Sequence, residues 1–152
     1  MNKKLFAAVL ALALGAGFTL DAMAQAKPET LVKQRQAAMT LQGKYFGPLG
    51  GMAQGKIPFD ANIVARNAGF LDALSKMPWD GFNASTQSEK SAALPEVWKD
   101  AAGFKAAEDK LESEVGKLVA AAKGGNEAAI KAAIGDVGKS CGGCHEKFRQ
   151  KQ

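Results

Sequence analysis

Two cysteines and the only histidine of this 152-residue chain stand together near its carboxyl end, as Cys141-Gly142-Gly143-Cys144-His145. A C-x-x-C-H sequence attaches haem c: each thiol adds to a vinyl group of the porphyrin, and the histidine coordinates iron. On a helix that turns roughly 100° per residue, Cys144 and His145 lie about −60° and +40° from Cys141, so all three side chains project from one face. The motif therefore predicts one covalently bound haem.

Other uses of these three residues fit the sequence less well. A zinc site needs four ligands, and the chain has no further cysteine or histidine to complete one. A thioredoxin-like dithiol requires a βαβ context and a helix N-terminus, whereas these cysteines fall near the carboxyl end of a predicted helix. A structural disulfide and a solitary surface histidine remain open alternatives.

The supply of axial ligands limits the kind of cytochrome. His145 is the only histidine, so a second imidazole is not available. Methionine is the other common soft ligand, and after the first 24 residues the chain has Met39, Met52 and Met77, all of which precede the motif. The iron is then either five-coordinate with an open face or ligated by a methionine from the first helix. Methionines at helical spacing are usually core residues, which favours the open face.

The amino-terminal residues have the pattern of a secretory signal peptide. Lys3 and Lys4 precede a short apolar run, and Ala22-Met23-Ala24 supplies the small-x-small pattern that a signal peptidase cleaves, with Ala24-Gln25-Ala26 as a second register. The run is shorter than the roughly 20 apolar residues that a membrane-spanning helix needs. We expect a signal peptide at 1–24 and an exported domain at 25–152, which lies in the periplasm of a diderm bacterium and is not inserted in the membrane.

Composition and charge indicate a globular protein without nucleic-acid partners. Hydrophobic residues make up 47% and charged residues 23% of the chain, which excludes collagen-like, low-complexity and disordered classes. The formal net charge of +5 is spread along the sequence, with no Lys/Arg run interleaved with aromatic residues. The charged residues are therefore interpreted as solvated helix faces.

Apolar residues recur at i, i+3 and i+4 in four segments, which predicts four amphipathic helices. A Gly-rich connection at about 47–56, into which the first helix has room to continue, and a polar connection at about 79–93 separate the first three. Asp60 is expected to cap the second helix and Asn126 the last, and the third is expected to run unbroken from Pro95 to Gly124. Short connections make neighbours antiparallel, so the predicted fold class is all-α, an up-down-up-down four-helix bundle enclosing the haem.

Several patterns together make the chain resemble cytochrome c′, the class II c-type cytochromes, over essentially all of residues 25–152. The patterns are the motif with Arg149 one turn later, Lys27-Pro28-Glu29 followed by Arg35, Gln36 and Met39, Pro78-Trp79 before Phe82, and Pro95-x-x-Trp98. Cytochrome c′ is itself a standard example of the four-helix bundle, so the resemblance implies the fold that periodicity predicts.

The resemblance assigns roles on both sides of the haem. It implies that His145 is the proximal ligand and that Cys141 and Cys144 are the thioether anchors. Arg35 and Gln36 match the first-helix residues that approach the haem propionates, where a guanidinium pairs well with carboxylates. Met39 matches the variable distal position, at which a bulky apolar side chain shields the iron.

The resemblance also implies a set of residues around the rim of the haem. Trp79 and Phe82 are expected to pack near the haem, although burial in an ordinary core explains them equally well. Thr86 is expected to contact a propionate. Arg149, at i+4 from His145, is expected beside the proximal pocket, although a cation at a helix C-terminus also suits the helix dipole.

For function, the resemblance implies a periplasmic cytochrome with five-coordinate, high-spin haem that binds NO and CO, transfers single electrons, or does both. A homodimer through the first two helices is expected, with Ile63, Val64 or Phe70 as candidate contacts. The main alternative is a low-spin electron carrier of the cytochrome c-556 kind, in which Met39 is the second axial ligand. A peroxidase would need a distal general base, for which no second histidine exists. A haem-free helical interaction protein is the remaining alternative.

Overall fold

The computed structural model describes residues 26–151, so the predicted signal peptide lies outside the described residues. The regular secondary structure of the described residues is helical, apart from one isolated bridge between Ala93 and Arg149. Its helices are α1 (Pro28–Ala53), α2 (Ala61–Leu74), the single turn α3 (Glu96–Lys99), α4 (Ala101–Gly124) and α5 (Glu127–Phe148). Two short 3₁₀ helices, Trp79–Phe82 and Ala84–Thr86, lie in the connection between α2 and α3.

The four long helices form the predicted all-α four-helix bundle. Around it, α1 packs against α2, α2 against α4, α4 against α5, and α5 against α1. The buried residues that share one core come from all four helices: Leu49, Met52, Val64, Ala68, Leu71, Leu111, Val115, Leu118, Ile130, Ile134 and Val137. Most of this core lies in the second half of α1, the second half of α4 and the first half of α5, at the end of the bundle away from the motif, and Leu71 and Leu111 extend it toward the motif end. No helix within residues 26–151 combines the length and hydropathy that crossing a membrane requires.

The first helix continues into the predicted Gly-rich connection, for which the sequence left room, and takes up its residues 47–53, so that only 54–56 of the predicted range remain outside the helix. Pro48 lies inside α1, although proline removes a backbone donor and usually interrupts a helix. Leu49 is 0% exposed and Met52 is 2% exposed, so the buried face of α1 continues beyond Pro48. Full burial of two such side chains contributes roughly 1.5–3 kcal/mol each, which offsets a cost of about 3 kcal/mol at the proline.

A Pro48→Ala variant is expected to be more stable than the parent by about 1–2 kcal/mol, since it restores the missing helix hydrogen bond while giving up the smaller entropic advantage of proline in the unfolded chain. The measurement is the free energy of unfolding of the holoprotein in urea. Gly47→Ala is the matched control, because Gly47 is exposed with open space at its Cβ position and is expected to gain at most about 1 kcal/mol. A loss of stability on replacing Pro48 would contradict this account.

The third predicted helix is interrupted, so the expectation of an unbroken helix from Pro95 is wrong. Asp100 has φ −115° and ψ 60°, outside the helical region, and separates α3 from α4. Its side chain accepts a hydrogen bond from the backbone N–H of Gly103 at 3.0 Å, which is N-capping, and its other oxygen lies 2.5 Å from the Nζ of Lys147. Asp100 thereby begins α4 and ties it to the end of α5.

The other predicted helix ends are confirmed. Asp60 accepts hydrogen bonds from the N–H groups of Asn62 and Ile63 at 2.8 and 3.1 Å, and Asn126 accepts one from Ala129 at 2.9 Å. Gly125 ends α4 with φ +72°, a left-handed conformation that glycine adopts without strain. These caps set the start of α5 and therefore the turn on which the motif falls.

Candidate functional site

A cavity of about 730 Å³ opens at the end of the bundle that carries the motif. Its volume is within the range of roughly 300–1,000 Å³ that is typical of ligand and cofactor sites. It is bounded by α1, α2, α4, α5 and the connection between α2 and α3. The predicted site residues on its wall are Arg35, Gln36, Met39, Trp79, Phe82, Cys141, Cys144, His145 and Arg149.

The motif lies in the last two turns of α5 and projects into this cavity from one face. Cys141 and Cys144 are free and half-buried, while His145 is more exposed at the mouth. The buried residues Val137 and Ile134, one and two turns before Cys141, hold that face of α5 against the bundle. The three chemical groups therefore face a common space, as the helical spacing predicts.

The local electrostatics favour neutral side chains in the motif. Burial raises the pKa of the Cys141 thiol, and burial followed by the proximity of Cys141 raises the pKa of Cys144. For His145, burial first and the positive charge of Arg149 second lower the pKa. Both thiols are thus protonated and the imidazole neutral near pH 7, and neutral imidazole is the form that ligates a metal.

On the opposite wall, Arg35 is 3% exposed and is held by neutral acceptors. Its Nη1 donates to the carbonyl oxygen of Gly81 and to the hydroxyl of Thr86 at 3.1 Å, and its Nη2 donates to the hydroxyl of Ser91 at 2.9 Å. The guanidinium carbon lies 4.3 Å from the centroid of the Phe82 ring, a cation–π distance. A Cβ atom at position 81 would lie 2.8 Å from the Cβ of Arg35, so this approach requires glycine.

Aromatic side chains make up one side of the cavity. The Phe104 ring is in contact with those of Trp79, Phe82 and Phe148, at centroid distances of 5.8, 4.9 and 5.2 Å. The indole N–H of Trp79 donates to the carbonyl oxygen of Ser75 at 2.6 Å and lies 3.1 Å from the carboxylate of Glu112. This wall is apolar and fixed, which suits a flat, largely apolar ligand.

Thr86 lies away from the place that the sequence predicts. It is 0% exposed and is not on the cavity wall. Its hydroxyl oxygen lies 3.0 and 2.9 Å from the carbonyl oxygens of Gly81 and Asn83 and accepts the hydrogen bond from Arg35. The expected direct contact of Thr86 with a propionate is therefore replaced by a contact with the arginine behind the wall.

Sequence reasoning missed two polar residues of the wall. Ser91 has no motif around it and is separated from its partner Arg35 by 56 residues, so no local signal could identify it. Ser140 precedes the motif directly, and its buried Oγ has no hydrogen-bond partner among the described residues. Phe46 and Phe104 also line the cavity, and helical periodicity placed both on inward faces without assigning them to a ligand.

The residues around the cavity fit a haem. Two thiols and one imidazole face the space from a single helix, and the rest of the wall is mostly apolar or aromatic. The buried guanidinium of Arg35 has no carboxylate partner in residues 26–151, which suits a ligand that brings its own carboxylates. By contrast, that part of the chain contains no group of three or more His, Cys, Asp or Glu side chains that could hold a metal ion directly.

Comparison with known proteins agrees with this fit. The Cytochrome C′ family model matches residues 30–149. Cytochrome c′ of Rubrivivax gelatinosus is 48% identical over 126 residues, which cover 82% of this chain and 98% of that protein. Its crystal structure matches the present one with a TM-score of 0.78 over the same shares of the two chains.

A second relative has been solved with gaseous ligands. Cytochrome c′ of Alcaligenes xylosoxydans xylosoxydans is 42% identical over 127 residues, covering 84% of this chain and 98% of that protein. Structures of its variants include a ferrous form with bound NO, with a TM-score of 0.78 at 40% identity over 85% of this chain and 100% of that one. A form with bound carbon monoxide has a TM-score of 0.76 at 42% identity, and the match covers 83% of this chain and 98% of that one.

Cytochrome c-556 of Agrobacterium tumefaciens is a more distant relative, 31% identical over 121 residues that cover 80% of this chain and 98% of that protein. The family model extends over the described helices from α1 to the motif, and the two closer relatives each cover more than four-fifths of this chain. The chain belongs to the cytochrome c′ family, whose cofactor is covalently bound haem c.

Proposed function

We propose that this protein binds NO and CO at a five-coordinate, high-spin haem and also exchanges single electrons, without acting as an enzyme. The observation that carries the proposal is what two walls of the cavity contribute: one imidazole from α5 and an apolar side chain from α1. The chain has a single imidazole, and the wall contributed by α1 presents the half-buried thioether side chain of Met39. The NO and CO complexes of the Alcaligenes protein support the same choice of ligands.

We propose that the residues around the cavity have the following roles. Cys141 and Cys144 hold the haem by thioether bonds, and His145 ligates its iron from α5. The haem, when bound, supplies an iron that takes up a diatomic ligand and exchanges one electron. Arg35 donates hydrogen bonds to the propionate carboxylates, and Gln36 is exposed at the rim where it can do the same.

The remaining proposed site residues shape the pocket. Trp79 and Phe82 pack against the porphyrin plane as parts of the aromatic wall. Arg149 lies on the wall with His145, and its charge helps to keep that imidazole neutral. Met39 excludes water from the open side of the iron and offers no hydrogen-bond donor, so uncharged CO and NO are favoured over ligands that need a donor.

One alternative has an observation in its favour. Met39 lines the cavity one helical turn from Arg35, so its sulfur could instead bind the iron, as in a low-spin electron carrier of the cytochrome c-556 kind. The 31% identity to a cytochrome c-556 is consistent with that reading. The two alternatives share the fold and the cofactor and differ only in the sixth ligand.

The visible absorption spectrum of the purified holoprotein separates them. We expect a high-spin spectrum in both oxidation states, a shift of the ferrous Soret band on adding CO, and a mass increased by one haem. A sulfur-to-iron band near about 695 nm in the ferric protein, with no response to CO, would instead establish methionine ligation.

We further propose that the protein is exported to the periplasm after removal of residues 1–24. The support is the Lys3-Lys4 start, the short apolar run and the Ala22-Met23-Ala24 cleavage pattern. Amino-terminal sequencing of the haem-loaded protein from a periplasmic extract should begin at Gln25. An uncleaved amino terminus would refute the assignment.

We propose a homodimer through α1 and α2, with Phe70 at its centre. Phe70 is 43% exposed, and its ring lies 4.7 Å from that of Tyr45 on the neighbouring helix. Leu41, one turn before Tyr45, is also exposed, so the two helices share an apolar surface. Val64 is fully buried within one chain and is withdrawn as a contact, and Ile63 packs partly against the core.

Phe70→Lys is expected to weaken this dimer at least about tenfold, because it places two charges across a symmetric apolar contact. Sedimentation velocity over a concentration series gives the dissociation constant. Lys110→Ala, an exposed position on α4, is the control and should leave the constant unchanged. A parent protein that stays monomeric at every concentration would remove the dimer proposal.

A further inference from the structure

We infer that Thr86 and Ser91 are positioning residues, whose hydroxyl groups hold the Arg35 guanidinium at the cavity wall in the orientation that receives the carboxylates of the haem. The inference rests on the proposed assignment of Arg35 to the propionates. It concerns how the chain orients the Arg35 side chain, and it gives that role to two residues outside the motif.

Arg35 is a buried cation for which the described chain provides no anion. All seven salt bridges among the described residues are formed by lysines, and none involves Arg35. Burial alone lowers its pKa, as expected for a charge removed from water without a counter-charge. Such a charge is costly to bury, so its environment is expected to be built around a negative ligand.

The hydrogen bonds of the guanidinium leave part of it available. Of its five N–H groups, three are engaged, by the carbonyl oxygen of Gly81 and the hydroxyls of Thr86 and Ser91. The other two, one on Nε and one on Nη2, have no acceptor among residues 26–151. Since Arg35 lines the cavity, these two N–H groups are the ones that a carboxylate in the cavity can accept from.

Burial and hydrogen bonding hold the Thr86 side chain in one orientation, so its hydroxyl can position the Arg35 guanidinium. It is completely buried at the end of the Ala84–Thr86 helix, and its hydroxyl lies within hydrogen-bond distance of two backbone carbonyl oxygens, on Gly81 and Asn83. Its single proton is therefore directed to those carbonyls, which leaves a lone pair for the N–H of Arg35. The β-branched side chain has few rotamers to lose, so the acceptor is pre-organised.

Ser91 connects the guanidinium to the helix that carries the iron ligand. Its Oγ accepts from Nη2 of Arg35 at 2.9 Å and from the backbone N–H of Ala93 at 3.3 Å. The adjoining residues pair with the chain just after α5: Leu94 N–H donates to Phe148 O at 2.9 Å, and Gln150 N–H donates to Ala92 O at 2.8 Å. The segment that positions Arg35 is thus anchored one turn from His145.

The reduction potential of the holoprotein tests the inference. A cation directed at the propionates stabilises the reduced haem, which has one positive charge fewer, so misdirecting Arg35 lowers the potential. Arg35→Gln should lower it most, Thr86→Val should lower it by part of that amount, and Thr86→Ser should restore the parent value. Ser85→Ala, an exposed neighbour whose hydroxyl bonds only to Asn83, is the control and should have no effect.

A double-mutant cycle distinguishes positioning from a merely structural role. If Thr86 acts through Arg35, adding Thr86→Val to Arg35→Gln should produce no further shift in potential. Full additivity of the two shifts, or an unchanged potential in a folded Thr86→Val protein, would overturn the inference. If Thr86→Val fails to fold, Ser91→Ala, at a half-buried position, takes its place in the cycle. Full additivity of the shifts, or an unchanged potential in folded Ser91→Ala, would then overturn the inference.

This experiment is independent of the gas-binding proposal. If the ferric spectrum reveals methionine ligation, the proposed function fails while the cycle still measures the coupling of Thr86 to Arg35. If the spectrum is high-spin and CO binds but the cycle is additive, only the positioning inference fails.

Discussion

A Cys141→Ser/Cys144→Ser double variant is expected to reach the periplasm without covalent haem and, once any loosely held haem is extracted, to lose the tight packing of the bundle. Thioether bonds form from thiols, and serine supplies none. In the proposed site the cofactor would also be a large part of the interior, because it would fill the cavity of about 730 Å³ between the four long helices.

The size of that cavity makes the effect large. Without the haem, the apolar and aromatic side chains around about 730 Å³ lose their packing contacts on that side, and the open end of the cavity lets water reach them. The haem-free chain is therefore expected to relax and admit water around Phe82 and Phe104, while the core at the other end keeps its helices together.

The measurement is circular dichroism with dye binding. We expect far-ultraviolet helical signal to persist, near-ultraviolet signal to disappear and an apolar dye to bind, as in a molten globule. Ser85→Ala, prepared in the same host, should retain haem and show none of these changes. A haem-free variant that unfolds in one sharp near-ultraviolet transition and binds no dye would show that the haem is not needed for packing.

The motif end of the fold could be predicted because its information is local. Three residues within five positions define the attachment chemistry, and one helical turn brings them to a face. The caps at Asp60 and Asn126 are likewise written in adjacent residues, and both are confirmed. Structural features that depend on a few neighbouring residues can therefore be predicted from the sequence alone.

The errors arise where distant contacts decide. Pro48 and the surrounding glycines indicate a connection, but burial of Leu49 and Met52 against the other helices outweighs them. Asp100 breaks the third helix because it caps α4 and pairs with Lys147, which is 47 residues away. Both outcomes require knowing which helix lies beside which.

The Arg35 network shows the same limit within the site. Its partners Thr86 and Ser91 are 51 and 56 residues away, in a connection with no regular periodicity. The sequence places Arg35 on an inward stripe, which the structure bears out, but it cannot reveal that Thr86 lies behind the arginine and not on the cavity wall. The role of a polar residue in such a connection is set by the packing of the connection.

A Met39→Ala variant is expected to bind CO at least about tenfold more tightly than the parent, which corresponds to roughly 1.4 kcal/mol. Met39 is half-buried on the cavity wall contributed by α1, and the proposed function places it over the open side of the iron. Placing CO there requires the methionine to move, whereas alanine leaves the space open. The gain in affinity is the packing energy that this displacement no longer costs.

The control is Met77→Ala. Met77 is 58% exposed, lies outside the cavity and carries the same side chain, so its replacement should leave CO affinity unchanged. Equilibrium CO titration of the reduced holoproteins gives both constants, and the ferric spectra are recorded alongside. If the parent and Met39→Ala spectra are both high-spin and only the affinity differs, Met39 shields the iron. A parent that is low-spin and becomes high-spin in Met39→Ala would make the methionine a ligand, and equal CO affinities would place Met39 away from the gas-binding face.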